Sequence, residues 1–357
     1  LIFEGEYLNG KKHGKGKEFF NGKLQFDGEY LNGKKHGKGI EYDYDGKLEF
    51  EGEYLNGKKH GKGKEYDWKG KLVFEGEYFN DKRNGKGIEY GYNDEFEFDL
   101  SSEFPVLTTK QLFFKNAITE LLWIYQAQSN DVRWLQERGN HIWDEWKCDD
   151  KGDWHATQML PNKDGKLEKM EVVKHFGKEY AHTIGTAYGW IVNKYHLIDN
   201  LIDKIKNNPT DRRMIMSLWQ NEFLNTAVLP SCVWCSEWDV TDGKLNLWVH
   251  QRSCDVPLGL PFNVTQYAVL ANLISHVTGI KVGKMYWSIK DAHIYVNQVD
   301  GIKEQIKRYD EMGDLPAPKL WINPEIKNFK DFDNSRELKD IKIVDYKHMG
   351  KIEFPIA

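Results

Sequence analysis

The chain has 357 residues and a net charge of −5, enough for two domains with sizeable cores and without a global field that would draw it to nucleic acid or anionic lipid. No apolar run approaches the roughly 20 residues of a membrane span and no signal peptide is visible, so a cytoplasmic protein is expected. Four cysteines in such a chain do not make a disulfide framework, and a reducing compartment suits them best.

The first part of the chain repeats itself. Gly5-Glu6-Tyr7-Leu8-Asn9-Gly10-Lys11-Lys12-His13-Gly14-Lys15-Gly16 recurs from Gly28, from Gly52 and, degraded, from Gly76. Each unit reads as a short strand, an Asn-Gly turn that tolerates positive φ, a second strand and another turn. A ladder of β-hairpins follows, with tyrosines and phenylalanines stacked along one side and lysines facing water. The runs Lys11-Lys12-His13, Lys34-Lys35-His36 and Lys58-Lys59-His60 predict a basic stripe on one edge, suited to weak contact with a membrane or a protein. Interleaved glutamates favour ordinary solvated strands instead. The units resemble MORN repeats, which implies a flat all-β array over residues 1–80 and leaves its role open between spacer, cap and scaffold.

The fourth unit changes to Asn80-Asp81-Lys82-Arg83-Asn84-Gly85-Lys86-Gly87. No Pro/Ser-rich or charge-block hinge follows it. The repeats therefore run into a second domain, 81–357 with its boundary at about 75–95, through a rigid joint.

In that domain, apolar residues from Leu112 to Ile124 recur at helical spacing over 111–126, and Glu120 sits among them. A carboxylate there is costly unless paired, so it is either an ion-pair member or an acid/base group. Three tryptophans follow, Trp134, Trp143 and Trp146, as core or as a pocket for a flat ligand. Residues 148–178 read as an extended surface loop, and 195–207 as a helix. Asp211-Arg212-Arg213 suggests capture of a phosphate or carboxylate, or a surface ion-pair cluster. Residues 244–253 alternate as a strand, and a long apolar helix runs over 264–277. Asn263 before it is an N-cap or an amide offered to a ligand. Asp291-Ala292-His293-Ile294-Tyr295 places His293 and Tyr295 on one strand face.

Cys232, at the end of an apolar run after Pro230, stands with Gln251-Arg252-Ser253-Cys254-Asp255 as a candidate nucleophile beside a fixed cation. Cys232 and Cys235 form a CxxC without a second pair at zinc spacing, so no metal is expected and Cys235 is read as facing the other side of a strand.

Taken together these motifs resemble the thymidylate synthase family over about 81–357. Phe104-Pro105 with Thr108-Thr109-Lys110, Glu120-Leu121-Leu122-Trp123, Ala187-Tyr188-Gly189, Pro230-x-Cys232, Gln251-Arg252-Ser253-x-Asp255, Gly259-x-Pro261-Phe262-Asn263 and Asp291-x-His293-x-Tyr295 stand in family order. Val233 after the cysteine marks a subtype found in some bacteria and their phages. The resemblance implies an α+β fold, a mixed β-sheet with helices, preceded by the all-β array. It implies methylation of dUMP to dTMP with 5,10-methylenetetrahydrofolate as co-substrate and no metal.

On the same resemblance, Cys232 adds to uracil C6, while Arg252, Glu120, Tyr188 and Asp255 complete the catalytic set. Arg252 would lower the thiol pKa. Arg83, Arg252, Ser253, Arg212 and Arg213 hold the phosphate, with Arg212 and Arg213 donated by the other subunit of a homodimer. Asn263 reads the base, His293 and Tyr295 the ribose, and Gln251 also contacts the dUMP. Lys110, Trp143, Trp146, Asp255, Gly259 and Ala357 face the folate. Arg83-x-Gly85-x-Gly87 would be a mobile phosphate loop, so the fourth repeat would serve array and site together. Two alternatives stay open, a pyrimidine nucleotide hydroxymethylase and a MORN scaffold with a vestigial enzyme domain.

Overall fold

A computed structural model describes residues 2–68, 70–90, 95–161 and 167–355. The repeats form strands β1 (Ile2–Leu8), β2 (Lys11–Phe20), β3 (Lys23–Leu31), β4 (Lys34–Tyr42), β5 (Leu48–Leu55), β6 (Lys58–Tyr66), β7 (Leu72–Phe79) and β8 (Lys82–Tyr90), each antiparallel to the next. Asn9 and Gly10 take φ of 49° and 73°, as a two-residue hairpin turn of this hand requires.

Phe26, Tyr30, Phe50, Tyr54, Phe74 and Tyr78 are buried on one face, their rings edge to face at 5.1 to 5.6 Å. Phe26 and Phe50 each lie over a cross-strand glycine pair. A Cβ on Gly63 would come within 2.4 Å of the Phe50 ring, so the Gly-Lys-Gly of the repeat makes room for the aromatic core.

The lysines do not all face water as expected. Lys12, Lys35 and Lys59 place their ammonium groups 4.7, 4.2 and 4.3 Å from the Phe3, Phe26 and Phe50 ring centres, and they pair with Glu18, Glu41 and Glu65. Their stems cover the rings while the charge meets both the π-face and a carboxylate. Only the first lysine of each run, Lys11, Lys34 and Lys58, stands exposed, so each run turns one lysine and not two to water.

The second part contains β9 (Glu95–Asp99), α1 (Phe114–Tyr125), α2 (Arg133–Gln136), β10 (Asp153–Pro161), β11 (Leu167–His175), α3 (Gly189–Lys194), α4 (Leu197–Asn207), β12 (Ile215–Ser217), β13 (Val233–Thr241), β14 (Lys244–Gln251), β15 (Cys254–Asp255), α5 (Gly259–Thr278), β16 (Lys281–Ile289), β17 (Ala292–Tyr295), α6 (Val299–Met312), β18 (Lys319–Ile322) and β19 (Ile341–Val344). A five-stranded mixed sheet runs in the order β12-β13-β14-β16-β9. Its inner face, with Leu245, Leu247, Val249, Met285 and Trp287, is buried in the main core together with α1 and α5. On the other face Trp248 stacks on Tyr286 at 4.2 Å, and Trp248 is 39% exposed.

Three expectations change. Residues read as a loop over 148–178 contain the β10–β11 hairpin. Both of its faces are largely exposed, so no hydrophobic alternation betrayed it. Helix α5 begins at Gly259, which puts Asn263 inside the first turns and not at the cap. Arg83 to Gly87 is strand and not loop, because it pairs with β7 through Tyr78↔Arg83 and Gly76↔Gly87; the same strand goes on to pair with β17 through Tyr90↔His293, Glu89↔Ile294 and Ile88↔Tyr295. With β15 beside β17, the array and the second domain share one ten-stranded sheet.

Candidate active site

Cys232 immediately precedes β13, where Val233 pairs with Gln251 of β14. That pairing brings Arg252 back onto the cysteine loop. The Arg252 backbone N–H donates to the Cys232 carbonyl at 2.9 Å, Nε to the Ser231 carbonyl at 3.1 Å and Nη2 to the Pro230 carbonyl at 2.7 Å. Nη2 also stands 3.9 Å from Cys232 Sγ. The Tyr188 hydroxyl accepts from the Cys232 backbone N–H at 3.0 Å, and Tyr188 holds a positive φ of 47°, a strained conformation for an aromatic residue at the start of α3.

A cavity of about 170 Å³ opens over the thiol, lined among others by Glu120, Trp143, Tyr188, Asn263 and Gln266. Glu120 projects from α1, accepting from Trp143 Nε1 at 2.6 Å and Gln266 Nε2 at 2.5 Å. Burial holds its carboxyl above the ordinary range, and the two bonds only partly offset this. Burial also raises the Cys232 thiol above its ordinary value. Arg252 and Tyr188 act in the opposite direction, so the expected lowering by Arg252 exists but is outweighed. The Tyr188 hydroxyl is raised further still by burial, then by Cys232.

Asn263 sits between two glutamines. Its Oδ1 accepts from Gln251 Nε2 and its Nδ2 donates to Gln266 Oε1, both at 3.2 Å. His293 and Tyr295 do share a face, their rings 5.0 Å apart. The Ser231 hydroxyl is buried without a hydrogen-bond partner, and His293 Nδ1 lies 3.5 Å from the Asp291 carboxylate, beyond a good hydrogen bond. Ser253 follows Arg252, its carbonyl accepting from Gln251 Nε2 at 3.1 Å.

The expected folate residues divide. The Asp255 carboxylate accepts from the Leu258 backbone N–H at 3.0 Å and from Gln298 Nε2 at 2.9 Å. Lys110 is buried, its pKa lowered by that burial against the opposing pull of Asp255, and its ammonium lies 5.1 Å from the Phe354 ring centre. Gly259 opens α5 and Trp143 lines the cavity. Trp146 instead stacks on Trp154 of β10 at 5.7 Å and is not among the cavity-lining residues. Ala357 lies outside the described residues.

Arg83 is engaged elsewhere. Its Nε donates to Glu65 at 2.9 Å and its guanidinium lies 4.4 Å over Phe74, the place the lysines occupy in earlier repeats. Arg212 and Arg213 are exposed at the edge of the five-stranded sheet, with Arg213 Nε paired to Asp211 at 3.0 Å. All four cysteines are free, and Cys235 is buried in β13. Among the described residues one group, Asp149, Asp153 and His155, gathers metal-ligand atoms, away from Cys232 on the β10–β11 hairpin.

Sequence reasoning missed Gln266 and Gln298. Gln298 is fully buried, accepting from the Tyr295 N–H and donating to Asp255 and the Pro355 carbonyl. For Gln266 the available signal was a glutamine inside an otherwise apolar helix, one turn after Asn263.

The thymidylate synthase family profile matches residues 65–357, and the MORN repeat profile matches 3–23, 26–47 and 50–67. The chain belongs to the thymidylate synthase family. It is 47% identical over 261 residues to thymidylate synthase of Clostridium beijerinckii, covering 73% of this chain and 85% of that protein. It is 39% identical over 272 residues to thymidylate synthase of Bacillus phage phi3T, covering 74% and 83%. Among solved structures, thermostable thymidylate synthase A from Bacillus subtilis superposes with a TM-score of 0.62 at 37% identity, over 77% of this chain and 88% of that one. The family profile begins inside the third MORN match, in keeping with the continuous sheet. No helix among the described residues is long and apolar enough to cross a membrane.

Proposed function

We propose that this chain converts dUMP to dTMP with 5,10-methylenetetrahydrofolate. The observation that carries the reading is convergence: one cavity gathers a cysteine beside a guanidinium, a desolvated carboxyl, a desolvated tyrosine hydroxyl and an asparagine amide. The Cys232 thiolate attacks C6 of the uracil ring, and C5 becomes the carbon nucleophile. Arg252, fixed by two carbonyls, stabilises the thiolate and meets the phosphate beside Ser253. Asn263 and Gln251 take the base edge, and His293 and Tyr295 the ribose. Glu120 and Tyr188 hold and move protons at the base. Asp255, Lys110, Trp143 and Gly259 would hold the folate, which supplies the one-carbon unit and the hydride.

The active form we infer is a homodimer closed through the outer face of the five-stranded sheet. Trp234, Trp248 and Ile215 stand exposed there, and Arg212 and Arg213 at its edge are suited to reach a partner's phosphate site. Arg83 joins the phosphate only by exchanging Glu65 for it.

Product identity tests the reading. Incubation with dUMP and the folate should give dTMP and dihydrofolate in equal amounts, abolished by Cys232→Ser. Formation of 5-hydroxymethyl-dUMP without dihydrofolate would overturn it in favour of a hydroxymethylase.

A further inference from the structure

Four side chains form a hydrogen-bonded chain that runs in one direction through the site and ends on Glu120. Trp287 Nε1 donates to Gln251 Oε1 at 3.1 Å, Gln251 Nε2 to Asn263 Oδ1, Asn263 Nδ2 to Gln266 Oε1, and Gln266 Nε2 to Glu120 Oε2. Its direction is fixed by fixed partners. An indole N–H only donates. Gln251 Nε2 also donates to the Ser253 carbonyl and Gln266 Nε2 to the Ala117 carbonyl, both at 3.1 Å, and carbonyls only accept. Each glutamine amide is therefore locked in one orientation. Trp287, Gln251 and Gln266 are all buried, so water cannot substitute for a lost partner at low cost.

We propose that Gln266, with Gln251 and Trp287 behind it, sets which pyrimidine this enzyme accepts by fixing the direction of the Asn263 amide. The proposal rests on the reading above in which Asn263 meets the base. Asn263 has one lone pair on Oδ1 and one hydrogen on Nδ2 left over. In the locked orientation these match uracil, whose N3–H donates and whose O4 accepts. Cytosine presents the reverse, an acceptor N3 and a donor amino group, and needs the amide turned over. Turning it sets Nδ2 against Gln251 Nε2 and Oδ1 against Gln266 Oε1, two like-to-like contacts. Relieving them means turning both glutamines, which drives Gln251 Nε2 into the Trp287 N–H and each glutamine oxygen into a backbone carbonyl. Gln266 thus acts as a positioning residue through Asn263.

The test is the ratio of dCMP to dUMP dissociation constants, measured by equilibrium dialysis on the full chain. Gln266→Met keeps length and removes the clamp. The ratio should fall roughly tenfold, the loss of about one hydrogen bond's discrimination, mainly through tighter dCMP binding. A general loosening of the site would weaken both nucleotides and leave the ratio alone. An unchanged ratio in folded Gln266→Met protein overturns the proposal. Should that variant not fold, Trp287→Phe carries the same expectation, and an unchanged ratio there overturns the proposal equally. Asn263→Asp separates the two levels. If it fails to favour dCMP, Asn263 does not read the base and both readings fall. If it favours dCMP while the clamp variants change nothing, only the clamp is wrong.

Discussion

His293 of β17 and Tyr90 of β8 are register partners in an antiparallel pair, so the last strand of the repeat array is hydrogen-bonded to the strand that carries two proposed site residues. Packing continues the contact, since Val296, next to Tyr295, rests against the aromatic core of the array. Phe74 and Phe26 occupy equivalent, fully packed places in the near and far repeats. Either change to alanine should destabilise the protein by about 3–5 kcal/mol. Only Phe74→Ala should raise the dUMP KM, because only that repeat borders β8. Equal effects on KM in the two variants would separate array from site.

Arg83 and Lys59 hold matching positions over Phe74 and Phe50. If Arg83 also serves the phosphate, Arg83→Ala should raise the dUMP KM about tenfold, as loss of a charge-assisted bond does, while Lys59→Ala leaves it within about twofold. Steady-state kinetics in which neither substitution moves KM would confine Arg83 to the array.

The nucleophile should be sluggish without substrate. Burial outweighs the Arg252 charge at Cys232, so alkylation of the free enzyme, corrected with Cys232→Ser, should rise with pH around a midpoint above the ordinary thiol value of about 8.5. Arg252→Ala removes the charge that favours thiolate and should move the midpoint higher, and Arg252→Lys should largely restore it. A midpoint that falls in Arg252→Ala contradicts this balance.

Glu120 links its own protonation to stability. Its carboxyl is raised in the folded protein, so the stability it favours is complete below the unfolded value of about 4.3 and is lost as pH climbs through the folded value. Glu120→Gln keeps an acceptor for Trp143 but abolishes the titration. It should lower kcat by about 10²-fold. A lower melting temperature at pH 7 with kcat intact would make Glu120 a structural residue only.

Dimer exchange tests the shared site. Cys232→Ser and Arg213→Ala homodimers should each be weak. Mixed one to one and allowed to exchange, they should recover about a quarter of wild-type activity, since half the dimers are mixed and one of their two sites is intact. No recovery in a mixture proven to contain heterodimers would place Arg213 in its own subunit's site, and a fully active Arg213→Ala homodimer would place it in none.

Much of this molecule was legible locally. Asn-Gly turns and Gly-Lys-Gly pairs encode each hairpin within a dozen or so residues, and the spacing of Leu112 to Ile124 encodes α1. The β10–β11 hairpin escaped because it buries neither face. The joining of β8 to the second domain escaped because β17, which pairs with Ile88 to Tyr90, lies some two hundred residues away. Gln266 escaped because a glutamine in an apolar helix declares a partner without naming it.

The sequence by itself pointed to the family and the array, and singled out Cys232, Arg252, Glu120 and Asn263 as candidates, since each belongs to a short motif that resembles the family's. Only the tertiary structure decided how those groups are tuned. Burial pushes the Cys232 thiol up despite Arg252, Arg83 is spent on Glu65, and the direction of the Asn263 amide is set by Gln251, Gln266 and Trp287. Desolvation and hydrogen-bond direction depend on what surrounds an atom from every element at once, and that surrounding exists only after the chain has folded.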